Sequence, residues 1–335
     1  MIRTALLRSF LGAAAMLAAS VAMAAPQPVK IGIGFGIGFL PTYLLEQLQL
    51  LEKHAKAAGL DVSASYQRIS GSAAMQDAVI SGSVDFGAYG VPAMLLAWEK
   101  ARGTPNQIVG VAGVNASPLV LITNQADVKS LADFKPTDRI AMPALVSPQM
   151  YVLQIAAEKA FGDKQYDRLK PQVVALPHPE ALNSLLSGKT EITAYFSSPP
   201  YTQLALRNPA IHRVLSSEEV FGGRASFLVM ATTKRAADAN PKLAEALVAA
   251  LAEADRIIRT EPRRAAEIYL KIEPVKGLDL DTVEGILREQ AEDFGVEVHG
   301  VKAYADFMAR VGQLKRPPAR WDEVFLSPIH GTASD

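Results

Sequence analysis

The chain has 335 residues, with 34 Lys and Arg against 34 Asp and Glu, 49% hydrophobic residues, 23 Gly, 21 Pro and no Cys. At roughly 100–200 residues per domain this length gives about two globular domains with ample core, and the missing Cys excludes disulfides, zinc-thiolate sites, iron–sulfur clusters and cysteine nucleophiles. A formal charge of zero with no basic patch argues against nucleic acid as a partner.

Residues 1–24 read apart from the rest. Arg3 and Arg8 precede an uncharged stretch from Ser9 to Ala22, rich in Ala, Leu, Val and Met, and Ala22-Met23-Ala24 fits a small-x-small cleavage site. The run is shorter than the roughly 20 residues of a membrane span, so the expectation is a signal peptide cut after Ala24. Cleavage leaves 311 residues and, with both Arg gone, a formal charge of −2. No Cys follows to take a lipid. A soluble exported protein is expected.

Beyond it, short β-rich runs alternate with helical ones, the pattern of α/β units around largely parallel sheets. A strand at Val29 to Phe35 leads to a helix from Pro41 to Ala58, a strand from Val62 to Ile69 and a helix from Ala73 to Ile80 that Gly82 stops. A strand from Val84 to Tyr89, a helix from Ala93 to Ala101 and a strand from Ile108 to Val114 follow. After Ser117-Pro118 the alternation resumes with strands near 119–123, 139–143, 172–176, 191–196 and 211–215 and helices near 149–161 and 179–186. Phe227 to Thr232 reads as a last strand; from Pro241 the chain is mainly helical, with a Pro-rich tail from Pro317 to Pro328.

One repeat organises this alternation. Ser81-Gly82-x-x-Asp85-Phe86-x-Ala88-Tyr89 recurs 106 residues later as Ser187-Gly188-x-x-Glu191-Ile192-x-Ala194-Tyr195. Each copy reads as strand, loop, helix, Ser-Gly stop and strand. Two similar lobes imply a cleft, and in open α/β sheets ligands sit beyond the carboxyl ends of the strands.

Catalytic motifs are missing. From Gly32 the last position of G-x-G-x-x-G falls on Ile37, and from Gly34 on Phe39, so the glycine-rich run is no dinucleotide loop. P-loop, nucleophile-elbow and H-E-x-x-H patterns are absent, and the five His show no metal spacing. Neither cofactor nor metal is expected.

Binding candidates lie in the loops at strand ends. Helix starts after Gly71, flanked by Ser70 and Ser72, and at Ser147-Pro148, followed by Gln149, offer backbone N–H groups and a positive dipole end to an anion; helix capping is the competing role for these serines. Gly36 brings backbone close to a ligand, with Phe39 as an apolar wall, or else makes a strained turn over a core Phe. Tyr89, followed by Gly90, and Tyr195 end matching strands and line the cleft from both lobes, unless they are buried and satisfied. Asn115 offers donors and acceptors, or serves a turn. Ser197 and Ser198 stand at a helix entry, and His178 takes the repeat position of Ser72. Phe221, before Gly222-Gly223-Arg224, is placed at a hinge or a surface turn. Arg68 and Arg224 are the cations nearest these loops in sequence, and neither sits inside the core of a proposed binding loop.

The strand Val29-Lys30-Ile31-Gly32-Ile33, the stop and strand Ser81-Gly82-Ser83-Val84-Asp85-Phe86-Gly87, the crossing at Ser117-Pro118 and the run Ala194-Tyr195-Phe196-Ser197-Ser198-Pro199 together resemble the sulfonate/taurine/nitrate-type periplasmic solute-binding proteins of ABC importers. The resemblance implies an α/β, type 2 periplasmic-binding fold with lobe one at 30–116 plus 225–335 and lobe two at 117–224. It also implies closure on a small organic ligand and delivery to a membrane permease with its cytoplasmic ATPase, by a periplasmic monomer without a catalytic step. The scarcity of cations in the loops weighs against a simple sulfonate and leaves carboxylated and aromatic compounds open. The alternatives are an enzyme acting on a pyrimidine-like substrate, whose family branch relies on a Cys-rich motif missing here, and a ligand-sensing module for a membrane receptor.

Overall fold

The computed structural model describes residues 25–332 and 334; the expected signal peptide at 1–24 lies outside them. The chain builds two five-stranded sheets, one after the other, and returns to the first.

In the first pass, β1 (Gln27–Ile33) is followed by α1 (Leu40–Leu48), α2 (Leu50–Ala57), β2 (Val62–Arg68), α3 (Ser72–Ser81), β3 (Phe86–Gly90), α4 (Val91–Lys100) and β4 (Ile108–Asn115). Val29, Ile31 and Ile33 alternate into the core along β1, the period-2 signature of a packed strand. The single helix expected from Pro41 to Ala58 is two. Gln49 adopts a left-handed conformation, φ 50°, that ends α1 and starts α2, a break for which Gln gives no warning in sequence.

The second sheet uses β5 (Val120–Thr123), β6 (Arg139–Met142), α5 (Pro148–Phe161), β7 (Val173–Ala175), α6 (His178–Ser187), β8 (Ile192–Ser197), α7 (Tyr201–Leu206), β9 (His212–Ser216) and α8 (Ser217–Phe221). The chain then returns through β10 (Leu228–Thr233) to α9 (Lys234–Ala239), α10 (Pro241–Thr260), α11 (Pro262–Ile272), α12 (Leu280–Glu289) and α13 (Val301–Arg310). α10 is set by its pattern: Leu243, Leu247, Leu251, Ala254 and Ile258 recur at helical spacing on the buried face. Asn240 caps it by accepting from Leu243 N at 3.2 Å.

Strand order is β2-β1-β3-β10-β4 in one sheet and β7-β6-β8-β5-β9 in the other. Position by position the orders match, and each sheet has one antiparallel strand in the same place, β10 and β5. The sheets are therefore mixed rather than uniformly parallel. Both antiparallel strands belong to the crossings, since β5 opens the second lobe and β10 re-enters the first.

The sequence repeat is a structural one. α3 and α6 span Ser72–Ser81 and His178–Ser187, and each ends at a glycine in the left-handed region, Gly82 at φ 77° and Gly188 at φ 60°. A side chain there would be strained, which is why both stops are glycine. The tail packs in 3₁₀ turns, with Gly110 N donating to Val324 O at 2.8 Å. No helix among the described residues is long and apolar enough to cross a membrane.

Candidate functional site

A cavity of about 530 Å³ opens between the lobes. Gly71, Gly90, Ser147 and Pro177 all line it, and these are the N-caps of α3, α4, α5 and α6. α4 follows β3 directly, while α3, α5 and α6 enter from the loops after β2, β6 and β7, so the site lies at the carboxyl ends of parallel strands in both sheets. Each helix start presents the positive end of a dipole, so four of them favour negative charge at this end of the cavity, although a Pro in the first turn of α4, α5 and α6 removes one N–H from each.

The polar side chains here are under-used. Gln149 is 1% exposed, yet neither its Oε1 nor its Nε2 has a partner among the described residues. The Tyr89 hydroxyl is also buried and unpartnered, and burial raises its pKa, so it stays a neutral donor. Leaving such groups unpaired costs about 1–3 kcal/mol each, a cost that a ligand reaching them removes. Ser147 donates to Ala144 O at 2.8 Å and accepts from Met150 N at 3.4 Å, so it does cap α5. Ser72 is the first residue of α3 rather than its cap, and its Oγ accepts from Gly90 N at 3.5 Å. Phe39, Met75 and Phe227 supply apolar wall, and Phe35 and Val146 stand exposed at the rim.

His178 sits at the start of α6. Its Nδ1 contacts the Tyr195 hydroxyl, its Nε2 lies 3.2 Å from Ser198 Oγ, and its ring stacks on Tyr201 at 5.2 Å. Burial lowers its pKa to about 4, so the imidazole is neutral near pH 7. A serine beside a histidine invites comparison with hydrolases. Here the outer partner is a tyrosine hydroxyl instead of a carboxylate, and Ser198, 4% exposed, does not line the cavity.

At another wall stands Glu273, the residue that caps the end of α11. Its Oε2 accepts from Gly36 N at 2.7 Å and from the Tyr43 hydroxyl, also at 2.7 Å; that hydroxyl lies 2.9 Å from Gly34 O. Burial and the neighbouring carboxylate raise the Tyr43 pKa, and the same two causes push Tyr201 up to about 12.

Of the residues singled out from sequence, the fold brings Phe39, Ser70, Gly71, Ser72, Tyr89, Gly90, Ser147, Gln149 and His178 to the cavity wall. Gly36 stands just behind it, at φ 103°, holding Glu273. Five others are elsewhere or one layer back. Tyr195 and Ser198 lie behind His178, each with its hydroxyl on one of the two ring nitrogens. Ser197 bonds Val120 O and Thr202 inside lobe two. Asn115 ends β4 and bonds Ser117 at 2.9 Å, the turn role. Phe221 packs on Tyr304 at 4.8 Å, far from any ligand role in the cavity. Of the two cations, Arg68 pairs with Glu46 at 2.7 Å through Nη2 while its Nη1 is buried without a partner among the described residues, and Arg224 donates to Glu292 O. Sequence reasoning missed Phe35, Met75, Tyr201, Phe227 and Glu273. Phe35 lies inside the glycine-rich run and Tyr201 one residue past Ser-Ser-Pro-Pro, so both stood next to recognised signals. Glu273 had none.

The profile of the NMT1-like family matches residues 23–271. The chain belongs to the NMT1-like family. Among solved structures it is similar to the periplasmic aliphatic sulphonate binding protein SsuA from Escherichia coli, at 18% identity over 90% of this chain and 98% of that one, with a TM-score of 0.67. It is also similar to the ligand binding component of an ABC-type import system from Staphylococcus aureus (15% identity, 92% and 99% coverage, TM-score 0.64). The periplasmic nitrate-binding protein NrtA from Synechocystis PCC 6803 is a third such structure (13% identity, 89% and 85% coverage, TM-score 0.65). At these identities the likeness shows the fold, that of periplasmic binding proteins. No curated protein matches the sequence.

Proposed function

We propose that this NMT1-like protein is the periplasmic substrate-binding component of an ABC importer, which captures a small organic solute between its lobes and hands it to a membrane permease driven by a cytoplasmic ATPase. The observation that carries this reading is the cavity itself. Four helix N-termini and the unpartnered Gln149 amide and Tyr89 hydroxyl meet apolar walls from both lobes. Such a site suits a molecule with an anionic or strongly accepting head and an apolar or aromatic body.

In this reading residues 1–24 are the export signal, 30–116 with 225–335 form one lobe, and 117–224 form the other. Closure shifts an open population to a closed one by tighter binding to the closed form. The protein works as a monomer and without a catalytic step: a neutral His178 with its neighbouring hydroxyl off the cavity is no activated nucleophile.

The test is thermal unfolding of the purified protein against sulfonates, carboxylates, nitrate, pyrimidines and aromatic acids. A ligand at about 1,000 times its dissociation constant adds roughly 4 kcal/mol to stability and raises the midpoint visibly. One clear hit, recovered unchanged after incubation, is the expected result. A flat response after stripping any carried-over ligand by unfolding and refolding, or conversion of the hit, overturns the reading.

A further inference from the structure

Glu273 does not fit a site built only for anions. It caps the carboxyl end of α11, where the helix dipole is negative and a carboxylate is disfavoured. It nevertheless lines the cavity, held by Gly36 N–H and the Tyr43 hydroxyl through one oxygen, Oε2. Its other oxygen, Oε1, accepts no hydrogen bond and pairs with no cation among the described residues, although the Tyr269 hydroxyl, likewise without a partner there, stands close by, its pKa raised by burial and then by this carboxylate. Arg68, stacked 4.7 Å over the Tyr43 ring, pairs with Glu46 through Nη2 while its Nη1 has no partner, and Lys276, which also lines the cavity, forms no ion pair among the described residues. A carboxylate without an ion-pair partner in the cavity wall disfavours an anion beside it and leaves one acceptor for a donor that arrives with the ligand.

Building on the solute-binding reading, we propose that Glu273 selects ligands bearing an N–H donor, an amine or amidine group, in addition to the acceptor head that the helix N-termini receive. The favoured solute is then zwitterionic or amino-substituted around an apolar body. Tyr43 acts as a positioning residue that fixes the carboxylate, and Gly36 presents the second donor.

Calorimetric titration of wild type and Glu273→Gln with three probes of one shape tests this: 4-(aminomethyl)benzoate, 4-methylbenzoate and benzylamine. Gln keeps an acceptor for Gly36 N and Tyr43, so the variant is expected to unfold at nearly the wild-type midpoint. A charge-assisted hydrogen bond gives about a tenfold preference. The expected result is 4-(aminomethyl)benzoate at least tenfold tighter than 4-methylbenzoate in wild type, with the gap closing in Glu273→Gln. Lys276→Ala is expected to keep or widen the gap. Equal or tighter binding of 4-methylbenzoate by wild type, a gap that survives in Glu273→Gln, or no binding of any probe at millimolar concentration each overturns the proposal. The solute-binding reading is judged separately, because the unfolding panel contains anions without N–H groups.

Discussion

The two copies of the repeat place a tyrosine at the same point and use it differently. In the first, Ser72 starts the helix, and the hydroxyl of Tyr89 is buried beside the cavity without a partner. In the second, 106 residues on, His178 starts the helix and its Nδ1 takes the hydroxyl of Tyr195. One side chain at the first position of a helix therefore decides whether the tyrosine behind it is satisfied within its lobe or left without a partner beside the cavity. The repeat sets the frame, and the two copies differ at the first helical residue. Four substitutions sharpen or break this contrast.

The largest effect concerns His178. Its folded pKa of about 4 lies below the ordinary 6.5, so between those values the unfolded chain binds a proton that the folded one does not. Stability is full above pH 6.5 and is lost as pH falls toward 4, by up to about 3 kcal/mol. Asp293, raised by burial to about 6, works in the opposite direction and is common to both proteins compared. His178→Ser, which makes the second copy like the first, is expected to remove the acid loss when urea unfolding is followed from pH 7 to pH 4. Parallel curves for the two proteins rule out a histidine held neutral by its lobe.

Next in size is Tyr195→Phe. It strips His178 Nδ1 of the hydroxyl it contacts while the ring stays buried, a loss of about 2 kcal/mol in unfolding free energy at pH 7. A loss below about 0.5 kcal/mol, the range of an ordinary surface change, shows that water or a rotated ring replaces the contact.

How much of this was legible in sequence follows from the same copies. The repeat and its glycine stops are local: Gly82 and Gly188 announce left-handed caps, and the strand after each is a short apolar run. From these the two-lobe fold and nine cavity residues could be placed, because helix starts after strands face the cleft by topology alone. Tyr195 was misplaced by the same logic, which carried the role of Tyr89 across without reading what His178 does to its neighbour. Ser197 and Phe221 were placed by position in a loop, but Ser197 is the last residue of β8 and bonds inward, while Phe221 ends α8 and packs on α13. Glu273 was invisible for another reason. Its partners Gly36 and Tyr43 lie 237 and 230 residues away, and nothing local separates it from the other acids of a helical region.

The third substitution tests the approach of the lobes. Gly90 caps α4 in lobe one, and a Cβ there would sit 2.6 Å from Cγ of Pro148, the first residue of α5 in lobe two. The matching position in the second copy is Phe196, fully buried inside its own lobe. Gly90 has φ −66° and ψ 144°, which alanine adopts freely. Gly90→Ala is therefore expected to force α4 and α5 apart, with a small fall in the ligand-free unfolding midpoint, and to weaken the panel's best ligand about tenfold, near 1.4 kcal/mol. A fall in the midpoint with affinity unchanged would locate the contact in folding rather than in closure.

The smallest effect on stability is also the most telling. Tyr89→Phe deletes a hydroxyl that no described residue satisfies, so the ligand-free protein is expected to change by less than about 0.5 kcal/mol, or to gain slightly, because a buried unpaired group is removed. Bound ligand reverses the sign. If the hydroxyl donates to the ligand's acceptor head, affinity falls about fivefold to tenfold, near 1 kcal/mol for a single neutral hydrogen bond. Measured side by side, Tyr195→Phe lowers the unfolding free energy and Tyr89→Phe lowers ligand affinity. Should both instead destabilise the free protein equally, a partner for Tyr89 exists inside lobe one, and the two copies would then have diverged less than their first helical residues indicate.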